Sequence, residues 1–229
     1  MSATWYTATV ADSRRATPDG ALLTLHVPGW PGSLAGQHVD VRLTAEDGYQ
    51  AVRSYSLASY GPAQQVELAV DRLPDGEVSP YLVDDVRPGD QMEIRGPIGG
   101  YFVWRPTQSE AVQLIAGGSG VVPLTAMVRA HRDSGSTAQM RLFYSVRTRE
   151  HAYFADELAA TDGVQVHWQY TATAGRINAA AVAAHTIGAP LRPSVYVCGS
   201  TGFVERAASL LVSAGHDPMR IRTERYGGT

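Results

Sequence analysis

The chain has 229 residues, of which 44% are hydrophobic and 18% charged, a composition typical of a globular protein and a length that suits two modest domains. The formal net charge of -3 gives no reason to expect a nucleic acid or an anionic membrane as partner. The single cysteine, Cys198, excludes a disulfide framework and a cysteine-ligated iron–sulfur cluster within the chain.

The start of the chain, Met1-Ser2-Ala3-Thr4-Trp5, lacks the basic region and the apolar run of a signal peptide. No apolar stretch approaches the roughly 20 residues that a membrane-spanning helix needs. These patterns predict a soluble, cytoplasmic protein.

The first hundred residues show short alternating runs separated by turn residues, which favours a small antiparallel six-stranded β-barrel. The predicted strands are 7–11, 22–27, 38–43, 52–58, 66–72 and 91–95. A short helix is predicted at 79–84, with Pro80 at its first position.

The second half alternates strands with helices, which predicts a parallel sheet covered on both faces. The predicted strands are 112–116, 140–146, 164–170, 194–198 and 220–225, and the predicted helices are 124–132, 153–160, 177–184 and 201–214. The polar segment Arg105-Pro106-Thr107-Gln108-Ser109 marks the boundary, so we expect domains at 1–105 and 106–229.

Within the predicted barrel, Arg53-Ser54-Tyr55-Ser56-Leu57 places a cation, a flat ring and hydroxyls on one short strand. A flavin dinucleotide needs this combination for its pyrophosphate and its isoalloxazine ring. An edge strand with a solvated arginine is the alternative. Gly76-Glu77-Val78-Ser79, just before the short helix, could cradle a second phosphate, or Ser79 could be only its N-cap.

Two glycine-rich turns follow strands of the predicted parallel sheet. Gly117-Gly118-Ser119-Gly120-Val121-Val122-Pro123 opens a helix, and Cys198-Gly199-Ser200-Thr201-Gly202 opens another. Ligands of such sheets bind beyond the carboxyl ends of the strands, where backbone N–H groups can hold a phosphate. An ordinary strand-to-helix turn and a buried structural cysteine are the alternatives.

Taken together, these motifs resemble the ferredoxin–NADP reductase superfamily over nearly the whole chain. Arg53-Ser54-Tyr55-Ser56 is similar to its R-x-Y-S flavin motif, and Gly76–Ser79 is similar to its second flavin-phosphate motif. Gly96-Pro97-Ile98-Gly99 resembles its end-of-barrel turn. Gly117–Pro123 and Cys198-Gly199 resemble its nicotinamide-cofactor motifs.

The resemblance implies an FAD barrel joined to a nucleotide-binding α/β domain, with FAD held non-covalently between them. Arg53 would neutralise the pyrophosphate, Tyr55 would lie against the isoalloxazine, and Ser56 would bond near flavin N5. The further implied FAD contacts are Ser54, Val70, Arg72, Gly76, Val78 and Ser79, and the implied nicotinamide-cofactor contacts are Gly118, Ser119, Gly120, Thr201 and, near the reactive ring, Cys198.

Near the C-terminus, Tyr226 resembles an aromatic residue that shields the flavin in many relatives, and Glu224 resembles an acidic residue near flavin N5. The chain departs from relatives that end on the aromatic, because Gly227-Gly228-Thr229 follow. The alternative is a surface tyrosine near a frayed tail.

The choice between NADPH and NADH depends on the segment after the strand at 140–146. Ser145, Arg147 and Arg149 lie there, and Arg176 follows later. Between residue 140 and Glu150 there is no acidic residue. Since arginine binds a phosphate with two hydrogen bonds and an acidic residue favours a free 2′-hydroxyl, we expect NADPH rather than NADH. Solvated surface arginines are the alternative.

The implied function is hydride transfer from NADPH to bound FAD, followed by release of electrons to a separate acceptor. Candidate acceptors are a ferredoxin, a flavodoxin, or an oxygenase or molybdenum oxidoreductase component. A free-flavin reductase and a flavin-binding module without turnover are the alternatives. We expect a monomer without a metal site.

Overall fold

A computed structural model of the protein describes residues 4–226, and the chain forms two compact units that divide between Val103 and Trp104. The start at Met1-Ser2-Ala3 and the tail Gly227-Gly228-Thr229 lie outside the described residues. From residue 4 to residue 226, no helix has the length and apolar character needed to cross a bilayer.

The first unit contains a six-stranded antiparallel sheet, as the sequence predicts. Its strands are β1 (Trp5–Thr17), β2 (Gly20–His26), β3 (His38–Thr44), β4 (Gln50–Ser56), β5 (Gln65–Asp71) and β6 (Gln91–Ile98), in the spatial order β4-β3-β6-β1-β2-β5. An isolated antiparallel bridge between Leu57 and Leu68 brings the two outer strands together just beyond β4. The rest of β4 therefore has β3 as its only hydrogen-bonded neighbour among the described strands.

Alternating side chains of these strands form the core of the unit. Leu23, Leu25, Val39, Val41 and Ile94 are fully buried in one cluster. Because successive residues of a strand point to opposite faces, each strand contributes every second side chain to this core. Burial of each such aliphatic side chain contributes about 1.5–3 kcal/mol.

The first strand is much longer than the predicted segment 7–11. β1 pairs with β6 through Trp5–Thr9 and with β2 from Thr9 to Thr17, with irregularities between Val10 and Asp12 and between Arg15 and Thr17. Such irregularities shift which side chains face the core. The polar residues after Val10 therefore belong to the strand, although their sequence shows no hydrophobic alternation.

One local prediction in this unit is confirmed and one is wrong. The chain is helical at 79–85, close to the short helix predicted at 79–84, and the part from Tyr81 to Asp85 is a π-helical turn with Pro80 as its N-cap. Gly96, Pro97 and Ile98 belong to β6, so the turn predicted to begin at Gly96 begins at Gly99, which has a φ of 103°. Pairing of His38 on β3 with Ile98 extends the strand through this segment.

The second unit is a five-stranded, all-parallel sheet with helical connections, again as predicted. Its strands are β7 (Val112–Gly117), β8 (Met140–Val146), β9 (Val164–Tyr170), β10 (Ser194–Ser200) and β11 (Ile221–Tyr226), in the order β11-β10-β7-β8-β9. The helices are α1 (Val121–Asp133), α2 (Ala155–Ala159), α3 (Thr171–Ala174), α4 (Ala179–His185) and α5 (Thr201–Ser213).

Two helices begin at residues other than the predicted ones. The helix predicted at 177–184 begins at Ala179, because the Asn178 side chain accepts a hydrogen bond of 2.9 Å from the Ala181 N–H. The predicted segment 124–132 begins earlier, at Val121, so Pro123 stands in the first turn. The sequence pattern did not indicate α3.

The strand order places a topological switch point between β7 and β10. From β7 the chain continues to β8 and β9 on one side of the sheet, and it then returns to place β10 and β11 on the other. In open parallel sheets, ligands bind beyond the carboxyl ends of the strands at this point. Both glycine-rich turns, Gly117–Gly120 and the one after Cys198, follow these two strands.

Candidate functional site

Arg53 and the Gly76–Ser79 segment lie side by side in the first unit. Arg53 lies on β4, and its Nη2 forms an ion pair with the Glu77 carboxylate. Its Nη1 donates to the Val52 carbonyl at 2.8 Å, and the side chain is half exposed. The two predicted flavin motifs, which are more than twenty residues apart in sequence, are thus adjacent in space.

Tyr55 and Ser54 point in different directions from β4. Tyr55 is half-buried against the core of the sheet, and burial raises the pKa of its phenol to about 12 although the nearby Arg53 acts in the opposite direction. The Ser54 hydroxyl instead donates to the Asp40 carboxylate at 2.6 Å. Ser56 ends the strand opposite His38 of β3. Tyr55 therefore presents a neutral ring, and Ser54 already has a protein partner.

The loop that precedes the π-helical turn is held by its own hydrogen bonds. The Ser79 hydroxyl accepts from the Leu73 N–H at 3.0 Å, and the Gly76 N–H donates to the Leu73 carbonyl at 3.0 Å. The Ser79 hydroxyl therefore has a hydrogen-bond partner within the loop itself. A Cβ on Gly76 would lie 2.8 Å from the Ser79 Oγ, so the loop closes this tightly only with glycine there.

Three further predicted FAD contacts, Val70, Arg72 and Val78, have structural roles in this unit. Val70 and Val78 are fully buried in the core. Arg72 pairs with Asp84 of the π-helical turn through a 2.6 Å hydrogen bond. The half-exposed guanidinium of Arg53 beside the compact glycine loop is the part of this unit that fits a diphosphate.

The raised pKa of Tyr55 is directly measurable. Since burial disfavours the phenolate, we expect Tyr55 to ionise near pH 12 instead of near 10. Its contribution to stability is fully present below pH 10 and is lost as the pH rises towards 12. The difference between the tyrosinate absorbance titrations of the wild type and Tyr55→Phe isolates this group. A difference curve with its midpoint at pH 10 would contradict the burial.

The second unit has a cavity of about 440 Å³ at the switch point of its sheet. Four predicted cofactor residues line it, namely Gly118, Ser145, Arg147 and Arg176. Ser119, Gly120, Thr201 and Cys198, which were also predicted, are not part of its lining. Sequence reasoning did not single out Gly117, Val146, Thr171, Ile177, Ser200, Gly202, Phe203 and Arg206 as contacts.

Three arginines give the cavity its electrostatic character. Arg147 follows β8, Arg176 follows α3, and Arg206 lies on α5, and no lining residue is acidic. Arg149, the other cation expected near the ribose, donates to Asp156 at 2.6 Å and does not line the cavity. The cavity is therefore suited to an anionic ligand with several phosphate oxygens.

The loop after β7 approaches β10 and α5 too closely for a side chain at two of its glycines, Gly120 and Gly117. A Cβ on Gly120 would lie 2.2 Å from the Cys198 carbonyl oxygen, and a Cβ on Gly117 would lie 2.5 Å from the Phe203 ring. Gly118 has a φ of 56°, which glycine adopts at little cost. The glycines thus let the loop and the N-terminus of α1 pack at the switch point.

Cys198 and Glu224 face each other across the β10–β11 pair. They are register partners, and the Cys198 side chain is 1% exposed. Burial, and secondarily the Glu224 carboxylate, raises the pKa of the Cys198 thiol well above its usual value. Cys198 therefore remains a neutral thiol at physiological pH. In residues 4–226, no three His, Cys, Asp or Glu side chains are grouped so as to hold a metal ion.

This environment predicts a slow reaction of Cys198 with thiol reagents. Reaction occurs through the thiolate and requires access, and Cys198 provides neither at neutral pH. We expect the folded protein to consume less than a tenth of an equivalent of a thiol reagent in the time that the guanidinium-unfolded protein consumes one, roughly in line with the thiolate fraction of a buried cysteine. Equal rates in the two states would contradict the burial.

Tyr226, predicted to shield the flavin, contacts the glycine loop of its own unit. Its hydroxyl donates to the Gly117 carbonyl at 2.5 Å and accepts from the Gly120 N–H at 3.3 Å. It also lines the cavity of the second unit. The last strand thereby contributes a polar group to the predicted phosphate loop. The flavin-shielding role of Tyr226 and the role of Glu224 near flavin N5 stay predictions.

Comparison with known proteins agrees with this arrangement of two units. Residues 7–103 match the model of the oxidoreductase FAD-binding domain, and residues 114–209 match that of the oxidoreductase NAD-binding domain. The chain is 30% identical over 224 residues to an NADPH oxidoreductase of Mycobacterium tuberculosis, covering 93% of this chain and 58% of that protein.

Two further likenesses extend the comparison. The chain is 26% identical over 200 residues to the ferredoxin–NAD(P)⁺ reductase component of the naphthalene 1,2-dioxygenase system of Pseudomonas putida, covering 83% of this chain and 60% of that protein. The FAD/NAD-binding domain of nitric oxide dioxygenase from Vibrio cholerae has the same fold, with a TM-score of 0.86, 23% identity and coverage of 97% and 99% of the two chains. The chain spans 40–60% of the length of the first curated relatives that it matches.

An FAD-binding domain with a six-stranded antiparallel sheet, followed by a parallel-sheet NAD-binding domain, defines a class of flavoprotein oxidoreductases. The chain belongs to the ferredoxin–NADP reductase superfamily.

Proposed function

We propose that this protein is a flavin-dependent NADPH oxidoreductase that binds FAD and passes electrons to a separate redox partner. The observation that carries the proposal is the cavity at the switch point of the NAD-binding domain, where a glycine loop and three arginines surround space for an anionic dinucleotide. The FAD-binding domain in the same chain would hold the flavin that accepts electrons from the nicotinamide nucleotide.

Bound FAD would supply an acceptor for the two electrons of a nicotinamide hydride and a donor that releases electrons singly. The chain's own residues bind and orient. Arg53 neutralises a diphosphate, Tyr55 offers an uncharged ring, and Ser56 is placed for a hydrogen bond at the end of β4. No side chain with a tuned pKa is required, because hydride transfer depends on the placement of the two rings.

The preference for NADPH follows from the charge of the cavity. Arg147, Arg176 and Arg206 line it without an acidic neighbour in the lining, and Ser145 adds a hydroxyl where β8 ends. An acidic side chain that would select a free ribose 2′-hydroxyl is missing from this lining. Guanidinium groups bind the additional 2′-phosphate of NADPH by charge-assisted hydrogen bonds.

The relatives support electron transfer to a separate protein. The Pseudomonas putida relative is a reductase component of a dioxygenase system, and another relative is the reductase subunit of a glycine betaine monooxygenase in Chromohalobacter salexigens. We propose that the acceptor is likewise a distinct redox protein, such as a ferredoxin, a flavodoxin, or an oxygenase or molybdenum oxidoreductase component.

Anaerobic reduction of the purified protein tests the function. We expect the protein to show a bound-flavin spectrum that NADPH bleaches at a lower concentration and a higher rate than NADH. Chemical reduction with dithionite is the control that the flavin can be reduced. A protein that binds no added FAD and oxidises neither nucleotide would overturn the proposal. Loss of the flavin on gel filtration, with turnover of added free flavin, would indicate a free-flavin reductase instead.

A further inference from the structure

The cavity arginine Arg176 follows a segment that cannot hold its shape by itself. It comes two residues after α3, a helix of only four residues. A helix this short is not stable alone, because a single turn does not offset the cost of nucleation. Residues 172–176 are all exposed, so burial in an apolar core does not fix them either. The position of Arg176 therefore depends on hydrogen bonds from outside the helix.

The side chain of Gln169 supplies two of these hydrogen bonds. Gln169 lies near the end of β9 and is only 6% exposed. Its Nε2 donates to the Ala174 carbonyl at 3.1 Å and to the Gly175 carbonyl at 3.0 Å. The last carbonyls of a helix lack partners within the helix, and an amide with two N–H groups can bind two of them. Gln169 thus ties the two residues before Arg176 to the edge strand of the sheet.

The surroundings of the Gln169 amide determine its orientation. The opposite orientation would place Oε1 against two carbonyl oxygens without a proton between them. In the orientation found, Oε1 lies 3.4 Å from the Nε2 of His167, which can donate to it. The His167 ring packs on Phe143 of β8, with 4.9 Å between centroids, and stacks on His185 of α4 at 3.5 Å and 8° from parallel. A ring that packs on two other elements therefore holds the amide in place.

A backbone hydrogen bond fixes the other end of α3. The Ala172 N–H donates to the Arg147 carbonyl at 3.1 Å, just after the end of β8. Gly175 then ends the helix with a φ of 72° and a ψ of −177°, a combination essentially confined to glycine. Both ends of α3 are thus held, and Arg147, Thr171 and Arg176 line the same cavity.

We propose that Gln169 is a positioning residue for NADPH selectivity, which holds the turn at Ala174 and Gly175 and thereby keeps the Arg176 guanidinium at the cavity to bind the 2′-phosphate. The inference rests on the proposed function, since it states how one arginine of that cavity is held. Gln169 does not line the cavity, so its effect on the nucleotide passes through Arg176. Its replacement should change binding of the 2′-phosphate and spare the rest of the dinucleotide.

Calorimetric titration of the FAD-loaded full chain with NADP⁺ and, separately, with NAD⁺ tests the proposal. Gln169→Met keeps the length of the side chain and removes both donors, and water can reach the exposed turn at residues 174–175. We expect NADP⁺ to bind about fivefold more weakly, a typical factor for one hydrogen bond, and NAD⁺ affinity to change by less than about twofold. Gln165→Met is the matched control, because Gln165 is exposed on the same strand and does not line the cavity. It should leave both affinities unchanged.

A double-mutant cycle separates positioning from a general structural role. In the Arg176→Ala background, Gln169→Met should change NADP⁺ affinity by less than about twofold, because the group that Gln169 positions is gone. If Gln169→Met binds neither nucleotide, Gly175→Ala perturbs the same turn without touching the interior. Its methyl group would meet no atom within 4 Å, but alanine is strained at a φ of 72°. The same loss for NADP⁺, present with Arg176 and absent without it, is expected.

The outcomes separate the role of Gln169 from the assignment of function. A Gln169→Met variant that binds both nucleotides like the wild type, weakens both equally, or weakens NADP⁺ as strongly without Arg176 would overturn the positioning role. The proposed function stands in these cases if Arg176→Ala alone lowers the ratio of NADP⁺ to NAD⁺ affinity. If Arg176→Ala leaves that ratio unchanged, the positioning role and the assignment of the 2′-phosphate to Arg176 both fall. Unchanged NAD⁺ affinity in Gln169→Met shows that the variant is folded.

Discussion

Replacing Gly120 with alanine should lower the free energy of unfolding of the second unit by about 3 kcal/mol or more, the upper range of what overpacking costs. The new Cβ would lie 2.2 Å from the Cys198 carbonyl oxygen, 2.4 Å from its carbon and 2.7 Å from the Gly199 nitrogen. All three are backbone atoms of the β10 strand, so no side chain can rotate away to make room. The strand or the loop must move, and either movement disturbs the switch point.

Denaturant unfolding followed by circular dichroism measures this effect, and Gly202→Ala provides the matched control. Gly202 lies in the first turn of α5, its φ is not positive, and an added methyl group there would meet no atom within 4 Å. Alanine there should leave stability unchanged or raise it by up to about 1 kcal/mol. Equal stabilities of the two variants would mean that the loop after β7 does not approach β10 as described.

The double variant Arg147→Ala, Arg176→Ala should lower kcat/KM for NADPH about 100-fold while changing that for NADH by less than about threefold. A charge-assisted hydrogen bond from a guanidinium to a phosphate is worth about 1.5–3 kcal/mol, and the lower value for both arginines, about 3 kcal/mol together, corresponds to roughly 100-fold. The effect should fall on the ratio of the two nucleotides, because the rest of the dinucleotide is common to both.

Steady-state kinetics with both nucleotides measures this ratio, and Arg149→Ala is the matched control. Arg149 lies two residues from Arg147 but pairs with Asp156 and does not line the cavity. Its removal should leave the NADPH/NADH ratio unchanged. A double variant that keeps the wild-type ratio, or an Arg149→Ala variant that shifts it as strongly, would refute the assignment of the 2′-phosphate to this cavity.

The sequence predicted the fold well wherever burial and chain geometry agree. The strands at 140–146 and 164–170 have the bounds that periodicity assigns them, because apolar side chains alternate with polar ones along much of each segment. The predicted strand at 7–11 is shorter than β1, because the polar residues from Asp12 to Arg15 show no hydrophobic pattern. Backbone pairing with β2 nevertheless continues there through two irregularities. Local propensity does not register a bulge.

The candidate site was predictable only where a motif lies in one short segment. Arg53 and the Gly117–Gly120 loop could be found because each stands in a compact motif. Arg206 could not, since it lies on a helix face that looks like ordinary solvent-exposed surface until α5 is packed beside β10. The choice between Arg147 and Arg149 likewise depended on Asp156, an ion partner whose position only the folded chain reveals.

The cavity of the second unit is assembled from five separate stretches of chain, around residues 117, 145, 171–177, 200–206 and 226. An unfolded or fragmentary chain holds none of these stretches together, so a dinucleotide that fills the cavity selects the folded state. By mass action, such a ligand at about 100 times its dissociation constant stabilises that state by about 2.7 kcal/mol. We therefore expect the resistance of this unit to heat and to proteolysis to rise with the supply of nicotinamide nucleotide around it.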